Sequence, residues 1–478
     1  VDGCGSDVPV DQRGTPRPQF TACDIGAYEY AFYTLTVAKE GTGSGTVSST
    51  PAGIDCGGDC SEAIDYGTLI SLTATAGSGS DFIGWSGACA GTGDCAVTIT
   101  QTQSITATFD AHTCFVSSND SGATDYASAD AGALQAAVNA ASAGDLLKIA
   151  GLCPGVQATN GYTQTVYIDK DLTLQGGYTT TNWLATPDPE ANPTILDAQG
   201  LGRVVLITGT ADVDMAFLTI TGGDTTNAYP GTITDPFTFL AYKEGSGLLI
   251  GGEASLSLLT SLVVTNTFTA GLANLGQAEI NDTLFSGHNR GGLLNLSTGR
   301  MTIDDSTFTE NSSGWFVALT NEGILTLTNS SLISNTTTVA GGHLANMQST
   351  DYPLLGMGVP GPALVYIRDT SFISGTAAKN GGAIYNQGEV HISDSHFEGN
   401  SANKTGGALY STDGIGVSAA FYVTSTTFYS NTAGETGGVL RQRVGQSVFT
   451  DSIFRHNSAG TSGGAIRVQA GSVTVNGG

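Results

Sequence analysis

The stretch that decides the fold is G-G-A-I-Y-N-Q-G-E-V-H-I-S-D-S-H-F-E-G-N, residues 381–400. It joins a Gly-Gly pair followed by apolar residues to a second motif, [D/N/S]-[S/T]-x-[F/L]-x-x-[N/G]. Toward the C-terminus this second motif recurs with Phe-to-Phe spacings of 25, 31 and 26 residues. A period near 25 residues is typical of one coil of a right-handed parallel β-helix, whose short strands stack at about 4.8 Å. A leucine-rich repeat has a similar period, but its L-x-x-L-x-L-x-x-N pattern is missing.

Each position of the repeat has a predicted place in a coil. We expect the Phe or Leu to form an internal stack, with the Ser or Thr two residues earlier also pointing inward. We expect the Asn to form a ladder at a turn, where Asn tolerates positive φ, and the Gly-Gly pair to allow a tight corner. The predicted ladder residues are Phe308, Leu332, Phe372, Phe397, Phe428 and Phe454, with Asn311, Asn335, Asn400, Asn431 and Asn457.

The composition of the 478 residues excludes several classes of protein. Only 12% of residues are charged and 67 are Gly, so long Glu/Lys/Leu-rich helices are absent and a helical bundle is excluded. The net charge of −26 argues against binding to nucleic acid or to anionic membranes, because both need a basic surface. No run of about 18 apolar residues exists, so no membrane span is predicted.

Eight cysteines, all in the first third of the chain, form four local pairs along the sequence. An even number with short spacings predicts disulfides formed outside the cytoplasm. A zinc site built from Cys56, Cys60, Cys89 and Cys95 is the alternative, but no basic residues flank them to support thiolates. The disulfide candidates are Cys4, Cys23, Cys56, Cys60, Cys89, Cys95, Cys114 and Cys153.

The pattern along the chain predicts three parts. Residues 1–32 are turn-rich and too short to bury a core alone. In residues 33–110, apolar and polar residues alternate in short runs, which is typical of a small β domain. Residues 111–478 form the β-helix, which begins with a short helix at 134–141. This amphipathic helix is expected to cap the open end of the coils, with Cys114 and Cys153 holding the cap in place.

Three segments resemble known families. Residues 33–110, with T-L-T-V, C-G-G-D-C-S-E, F-I-G-W-S-G-A-C and I-T-A-T-F, resemble InlB B-repeat modules, which implies a spacer or adhesive module. Residues 381–400 resemble the GGAI and FxxN repeats of polymorphic outer-membrane proteins and other pectin-lyase-like β-helices. Residues 11–30, D-Q-R-G-T-P-R-P through C-D-I-G-A-Y-E-Y, resemble the C-terminal end of the choice-of-anchor Q family, where this segment closes a β-helix.

The order of these segments is unusual, because the tail-like segment comes first. The chain also opens at Val1 without a basic start or an apolar stretch, so it is expected to be a mature piece of a larger secreted protein. Either it is one unit cut from a long array, or residues 1–32 of one copy close the open end of the preceding copy. The second alternative predicts end-to-end self-association.

The candidate chemical groups favour structure over catalysis. Acidic residues recur mostly at one repeat position, which is the pattern that a structural turn ladder produces: Asp304, Asp305, Asp369, Asp394 and Asp451. His288, in S-G-H-N-R, is predicted to be a loop histidine, and the other histidines of the repeats are scattered. We therefore predict no catalytic, cofactor-binding or metal-ligating residues. Ca²⁺ is the one ion that the acidic surface suits.

Two insertions interrupt the repeat, at 224–243 and 347–362. Loops on the flank of a solenoid commonly form its binding face. Either each insertion folds over a groove of its own coils, or it contacts a neighbouring subunit or a glycan. The candidate contact residues are Tyr352, Leu354, Leu355 and Met357.

Together these patterns predict a non-enzymatic, extracellular structural or adhesive rod from a bacterial surface. The alternative is a β-helix that binds or degrades a polysaccharide, as a lyase or a hydrolase. Degradation needs carboxylates and a base gathered on one surface. A groove that holds two or more carboxylates beside Arg or Lys therefore separates the two hypotheses.

Overall fold

A computed structural model describes residues 9–14, 16–17, 31–226, 245–266, 269–314, 318–348, 363–414 and 418–477. The chain divides into two compact units, Val1–His112 and Thr113–Gly478, next to the predicted boundary at residue 110. Nearly all regular structure is β, and the second unit is built from parallel strands. This confirms the predicted fold class: a parallel β-helix preceded by a small β-rich module.

Unit 1 contains a four-stranded and a three-stranded sheet. Phe32–Glu40 runs parallel to Gln103–Ala111, whereas the other pairs are antiparallel. Side chains alternate between the two sides of each strand, so Leu35, Ile105 and Phe109 point into a common core, where each residue is at most 1% exposed. The four-stranded sheet is ordered Ser61–Asp65, Phe32–Glu40, Gln103–Ala111 and Ser80–Gly87, and the three-stranded sheet is ordered Gly45–Thr50, Leu69–Ala76 and Cys95–Thr98.

Unit 2 begins with a cap over the first coil. Strand Cys114–Ser118 pairs antiparallel with Tyr126–Ser128 and with the first long strand, Asp145–Pro154. Helix Gly132–Ala140 follows, close to the predicted 134–141. Its buried positions, three to four residues apart, pack against the end of the β-helix core: Ala133, Leu134, Ala137 and Val138.

The coils that follow have up to four flat faces, numbered 1 to 4. Each face consists of the corresponding strands of successive coils. Face 1 comprises Leu172–Gln175, Asp212–Ala216, Ser255–Leu259, Gln277–Asn281, Arg300–Asp304, Ile324–Thr328, Leu364–Arg368, Glu389–Ser393, Ala420–Thr424, Gln446–Thr450 and Ser472–Asn476. Face 2 comprises Ile195–Asp197, Thr219–Thr221, Leu262–Val264, Leu284–Ser286, Thr307–Thr309, Ser331–Ile333, Ser371–Ile373, His396–Glu398, Thr427–Tyr429 and Ile453–Arg455.

Face 3 comes before face 1 in each coil, and face 4 follows face 2. Face 3 comprises Tyr162–Ile168 with its antiparallel neighbour Gln157–Thr159, then Arg203–Ile207, Leu248–Ile250, Leu272–Asn274, Leu293–Asn295, Leu319–Asn321, Leu344–Asn346, Ile384–Asn386, Leu409–Ser411, Leu440–Gln442 and Ile466–Val468. Face 4 comprises Ser312–Ser313, Thr336–Thr337, Thr376–Ala377, Ser401–Ala402, Thr432–Ala433 and Ser458–Ala459. From Leu172 onward, each strand of a face pairs in parallel with its counterpart in the next coil.

The core follows from this register. The central residue of each face 2 strand points inward, and consecutive coils place these residues on top of one another. The rings of Phe372 and Phe397 are 4.5 Å apart, and those of Phe397 and Phe428 are 4.9 Å apart. Phe308 and Leu332 occupy the same stack and are fully buried. Phe454, in the last described strand of face 2, is half-buried.

The predicted asparagines line the turn after face 2 and hydrogen-bond from coil to coil. The amide of Asn431 donates to the carbonyl oxygen of Phe397 and to Oδ1 of Asn457, each within 3.0 Å. Its own Oδ1 accepts from the backbone N–H of Asn400. The prediction that these asparagines adopt positive φ was wrong. The residue just before each one does so, as Ser430 does at 54°.

Replacing Asn431 with alanine should destabilise unit 2 by several kcal/mol, because each buried polar group left without a partner costs about 1–3 kcal/mol. Urea unfolding monitored by hydrogen exchange of the neighbouring coils measures this loss. Alanine at the exposed Asn289 is the matched control and should have little effect. Equal stability of the two variants would contradict the ladder's role.

A second asparagine ladder lies at the turn between faces 3 and 1, and sequence reasoning missed it. Asn321 donates to Oδ1 of Asn346 at 2.9 Å, and Asn346 donates to Oδ1 of Asn386 at 2.9 Å. Asn274 and Asn295 continue it toward the N-terminus. The signal in the sequence was a Gly shortly after most of these asparagines, as in N-E-G and N-Q-G, but Asn346 has none nearby.

Candidate functional site

The outer surface of face 1 changes character along the β-helix. Its strands alternate, so every second side chain points away from the core. The central outward position of successive coils forms one column, which is acidic or hydroxylic at first and aromatic later. The column runs Asp214, Ser257, Glu279, Thr302, Thr326, Tyr366, His391 and Tyr422.

The acidic part of this column borders a hollow of about 630 Å³. Its lining includes the carboxylates of Asp212, Asp214 and Glu279 beside the guanidinium of Arg300. Asp214 and Glu279 are two coils apart, so their Cα atoms are separated by about 10 Å. The hollow therefore gathers carboxylates beside Arg, which is the arrangement that separates the two hypotheses drawn from the sequence.

The aromatic part of the column borders a second hollow, of about 340 Å³. The ring of His391 lies between two tyrosine rings, with its centroid 5.0 Å from that of Tyr366 and 4.8 Å from that of Tyr422. Glu389, on the same strand, holds the imidazole with Oε1 2.5 Å from Nε2. On the other side of the hollow, Arg368 is largely exposed.

The two hollows meet at Thr326, which lines both of them. They lie on opposite sides of the central column, and we refer to the two hollows together as the furrow. Threonine is small, and the ring of Tyr366 in the next coil is consequently uncovered on one side, with the residue 44% exposed. The furrow thus presents an accessible aromatic ring, a guanidinium and several hydroxyl groups.

These groups are those that commonly contact a sugar chain. An exposed tyrosine ring packs against the apolar face of a sugar, and hydroxyl and guanidinium groups exchange hydrogen bonds with its oxygen atoms. Coils repeat at about 4.8 Å, so the aromatic hollow, which spans four coils from Thr326 to Tyr422, is about 14 Å long. An extended chain of a few sugar units fits such a length.

Most residues that sequence reasoning selected lie elsewhere. Asp305, Asp369, Asp394 and Asp451 occupy the corner between faces 1 and 2, with φ between 46° and 50°. That corner also contains Asn329 and Ser425. Asp304 is the last residue of a face 1 strand and accepts a hydrogen bond from Asn329. The furrow residues were missed, because outward positions of the repeat carry no shared residue type.

His288 lies in the turn after the face 2 strand Leu284–Ser286, as the prediction of a loop histidine requires, but its side chain is completely buried. Its Nε2 lies 2.9 Å from the carbonyl oxygen of Val263. His343, which the sequence did not single out, is buried as well, and burial lowers its pKa.

Three pairs of the cysteines are bonded in the described residues: Cys56–Cys60, Cys89–Cys95 and Cys114–Cys153. The four sulfur atoms considered for zinc are therefore used in two disulfides. Within the described ranges, no group of three His, Cys, Asp or Glu side chains could hold a metal ion. Cys4 and Cys23 lie outside the described residues.

The candidate contact residues of the second insertion, Tyr352, Leu354, Leu355 and Met357, also lie outside the described residues, as does most of the 1–32 segment. The described piece of that segment includes Arg13, whose guanidinium bonds to Asp11 and stands 4.4 Å from the ring of Tyr66. No helix in the part of the chain that is described is long and apolar enough to cross a membrane.

Comparison with known protein families agrees with the two architectures. Residues 33–113 match the divergent InlB B-repeat domain, and residues 394–412 match the Chlamydia polymorphic membrane protein repeat. No match was found among curated proteins or among solved structures. The resemblance of residues 11–30 to the choice-of-anchor Q family stays a prediction. Two repeat types of surface proteins and three disulfides fit an extracellular location, so we conclude that the chain is a repeat protein of the extracellular type.

Proposed function

We propose that this protein is a structural or adhesive rod of a bacterial surface, without catalytic activity. The observation that carries the proposal is the unbroken pairing of face 1 strands from Leu172–Gln175 to Ser472–Asn476. At about 4.8 Å for each coil, these strands form a column about 50 Å long. Backbone hydrogen bonds directed along the column, together with the stacked core, resist bending and stretching.

A second copy of the chain is the partner that we propose for the end of this column. In the last described coil, Val475 is 51% and Val468 is 38% exposed, whereas their counterparts one coil earlier, Phe449 and Gln442, are fully buried. Exposed apolar side chains favour association with another coil. End-to-end contact with a second copy would cover Val475 and Val468.

The charge distribution also supports self-association. The chain as a whole carries −26, but residues 436–477 contain four arginines and a single carboxylate, that of Asp451. The arginines are Arg441, Arg443, Arg455 and Arg467. A basic end attracts the acidic remainder of another copy, and this attraction weakens as salt screens it.

Replacing Val475 with glutamate should abolish concentration-dependent association of the full chain, because the charge would be buried at the contact. Sedimentation velocity at low and high salt measures the association. Thr474 is the matched control: it is exposed and points outward on the same strand, so T474E should leave association intact. A wild-type chain that sediments as a monomer at every concentration and salt level would overturn the self-association.

A second candidate function is binding of a polysaccharide, favoured by the furrow on face 1. The aromatic hollow extends over four coils beside the column, so an extended glycan would lie along it and contact several coils at once. Tyr366 would pack against one sugar, and Arg368 would bind hydroxyl or carboxylate oxygens. Such binding is compatible with the adhesive role, because a rod that holds a glycan along its side is an adhesin.

Replacing Tyr366 with alanine should weaken glycan binding about tenfold, since a sugar–aromatic contact contributes on the order of 1–1.5 kcal/mol. A glycan array followed by calorimetry on the best ligand measures the change. Tyr429, similarly exposed but on face 2, is the matched control. Equal loss for Y366A and Y429A, or no glycan bound at all, would remove this candidate.

The larger hollow meets the condition that the sequence set for the polysaccharide-active alternative, because it gathers three carboxylates beside Arg300, so the absence of catalysis is a proposal that needs a test. The full chain should release no product from a panel of acidic polysaccharides, with or without Ca²⁺. Turnover that D214N and E279Q both eliminate would instead support the enzymatic alternative, because those two carboxylates border the larger hollow.

A further inference from the structure

The asparagine ladder after face 2 is interrupted at two coils. Backbone N–H groups along this turn normally donate to the Oδ1 of the asparagine in the next coil, as Asn311 does to Asn335 at 3.0 Å. The register places His288 one rung before Asn311, because the N–H of His288 donates to Oδ1 of Asn311 at 3.2 Å. In the same way it places Gly375 one rung before Asn400, because the N–H of Gly375 donates to Oδ1 of Asn400 at 2.9 Å. These two rungs lack an amide side chain.

A buried imidazole fills each gap. At the first, His288 points its own ring into the core, with Nε2 2.9 Å from the carbonyl oxygen of Val263 and Nδ1 3.4 Å from that of Asn266. The ring lies so close to Gly271 that a Cβ there would stand 2.5 Å from Cε1. Glycine at 271 therefore makes room for the ring.

At the second gap the imidazole comes from a different face. His343 precedes a face 3 strand, at the position where the next two coils have Ala383 and Ala408. Its ring reaches across to the space left by Gly375, where a Cβ would stand 2.4 Å from Cδ2. The Nδ2 of Asn335 donates to Nδ1 of His343 at 2.9 Å.

The hydrogen bonds of His343 require the neutral ring. Its Nε2 lies 3.1 Å from the carbonyl oxygen of Ile373 and donates to it, so Nδ1 must accept from Asn335. Asn335 cannot reverse its amide, because its Oδ1 already accepts from the backbone and side-chain nitrogens of Asn311. A proton on Nδ1 would face the Asn335 amide group, donor against donor.

No compensating charge lies beside either ring among the described residues. The groups that face His288 are backbone carbonyls, Gly271 and Asn311, and those that face His343 are Asn335, Ile373, Asn400, Gly375 and the edge of the Phe372 ring. Neither set includes a carboxylate. A protonated ring would thus be a buried cation without a counter-charge, which is costly in a protein interior. At His343 it would also face the Asn335 amide, whereas at His288 two carbonyl oxygens would accept from it, so the cost there comes from burial alone.

We propose that these two histidines make the coils between residues 263 and 400 an acid-sensitive segment, which opens before the coils that follow it. From Asn400 to Asn457 the ladder consists of amides alone, which do not titrate. The β-helix therefore has a fixed weak region within it at low pH, while its C-terminal coils keep their hydrogen bonds.

The expected size follows from linkage. Burial lowers the pKa of His288 to about 4 and that of His343 to about 3, against the opposing effect of their hydrogen bonds. The pKa of such a histidine is lower in the folded state than in the open state. Its contribution to the stability of the folded state is therefore complete above pH 6.5 and is lost as the pH falls toward the pKa of the folded state. Between pH 7.5 and 5.0, each one favours the open form by about 30-fold.

Hydrogen exchange of the full chain at pH 7.5 and 5.0, corrected for intrinsic rates, tests the proposal. Peptides within 284–346 should show a rise of about 30-fold or more in their opening equilibrium, and peptides within 420–468 should not. H288N places the common ladder residue at this position, and H343Q offers one acceptor and one donor without titrating. Each variant should make the rise in the opening equilibrium about 30-fold smaller than in the wild type.

The matched control is His456→Asn, because His456 is an exposed histidine directly after the last described strand of face 2. H456N should leave the acid response unchanged. Equal opening of both peptide groups in the wild-type chain would overturn the proposal, and this comparison requires no variant to fold. An unchanged acid response in both H288N and H343Q would overturn it as well.

Discussion

Replacing Phe397 with alanine is expected to destabilise the β-helix by about 3–5 kcal/mol. The side chain is fully buried between the rings of Phe372 and Phe428, so its loss removes two stacking contacts and leaves a cavity that neighbouring coils cannot fill. Because the coils of a β-helix contact mainly their neighbours, we expect the loss to appear first in peptides of the adjacent coils. Hydrogen exchange and urea unfolding, measured together, give both its size and its location.

Phe397→Leu is the matched control, since Leu332 occupies the same stack. Leucine keeps most of the buried apolar volume, so F397L should cost well under half as much as F397A. Exposed Tyr429, which follows Phe428 on the same strand, offers a second comparison: Y429A should be nearly neutral. A loss below about 0.5 kcal/mol for F397A would contradict the stack's contribution.

Removing the disulfide between Cys114 and Cys153 should cost unit 2 about 3–4 kcal/mol, because it closes a loop with a sequence separation of 39 residues. It joins the first capping strand to the long strand of the first coil. The double variant C114S/C153S should therefore release the cap, and the underlying core should then bind a hydrophobic dye. Thermal unfolding of the full chain, with and without dye, measures both effects.

The control for this prediction is C56S/C60S, because that disulfide lies in unit 1 and closes a loop with a separation of only 4 residues. We expect about 2 kcal/mol from the same relation, confined to the unfolding of unit 1. Dye binding and unit 2 unfolding that are identical in C114S/C153S and in the wild type would show that the cap does not depend on its disulfide.

The fold was predictable from the sequence because its determinants recur. Phe397 and Asn400 each have a counterpart one coil away, so the period and the inward positions could be found without coordinates. The second ladder was missed because its signal is only a following glycine, as after Asn321 and Asn386, and Asn346 lacks even that. Nothing in a local motif could assign His343 to the ladder, since its ring replaces an amide that belongs to another face.

The furrow could not be predicted for a related reason. Outward positions of face 1 are free to vary, so Tyr366, His391 and Tyr422 share a column without sharing a residue type or a motif. The insertion just before the strand Leu364–Arg368 also hides the column in the sequence, because it changes the spacing between successive coils. Only the register of the strands shows that these side chains are neighbours.

That register has an evolutionary consequence. Ile324 pairs with Leu364 across 40 residues of chain, and Leu364 pairs with Glu389 across 25, yet both pairs have the same alignment. A segment of one coil can therefore be duplicated, deleted or extended at its turn without disturbing the coils on either side. Unequal recombination within the gene would change the length of the β-helix in steps of about 5 Å, and selection could act on that length.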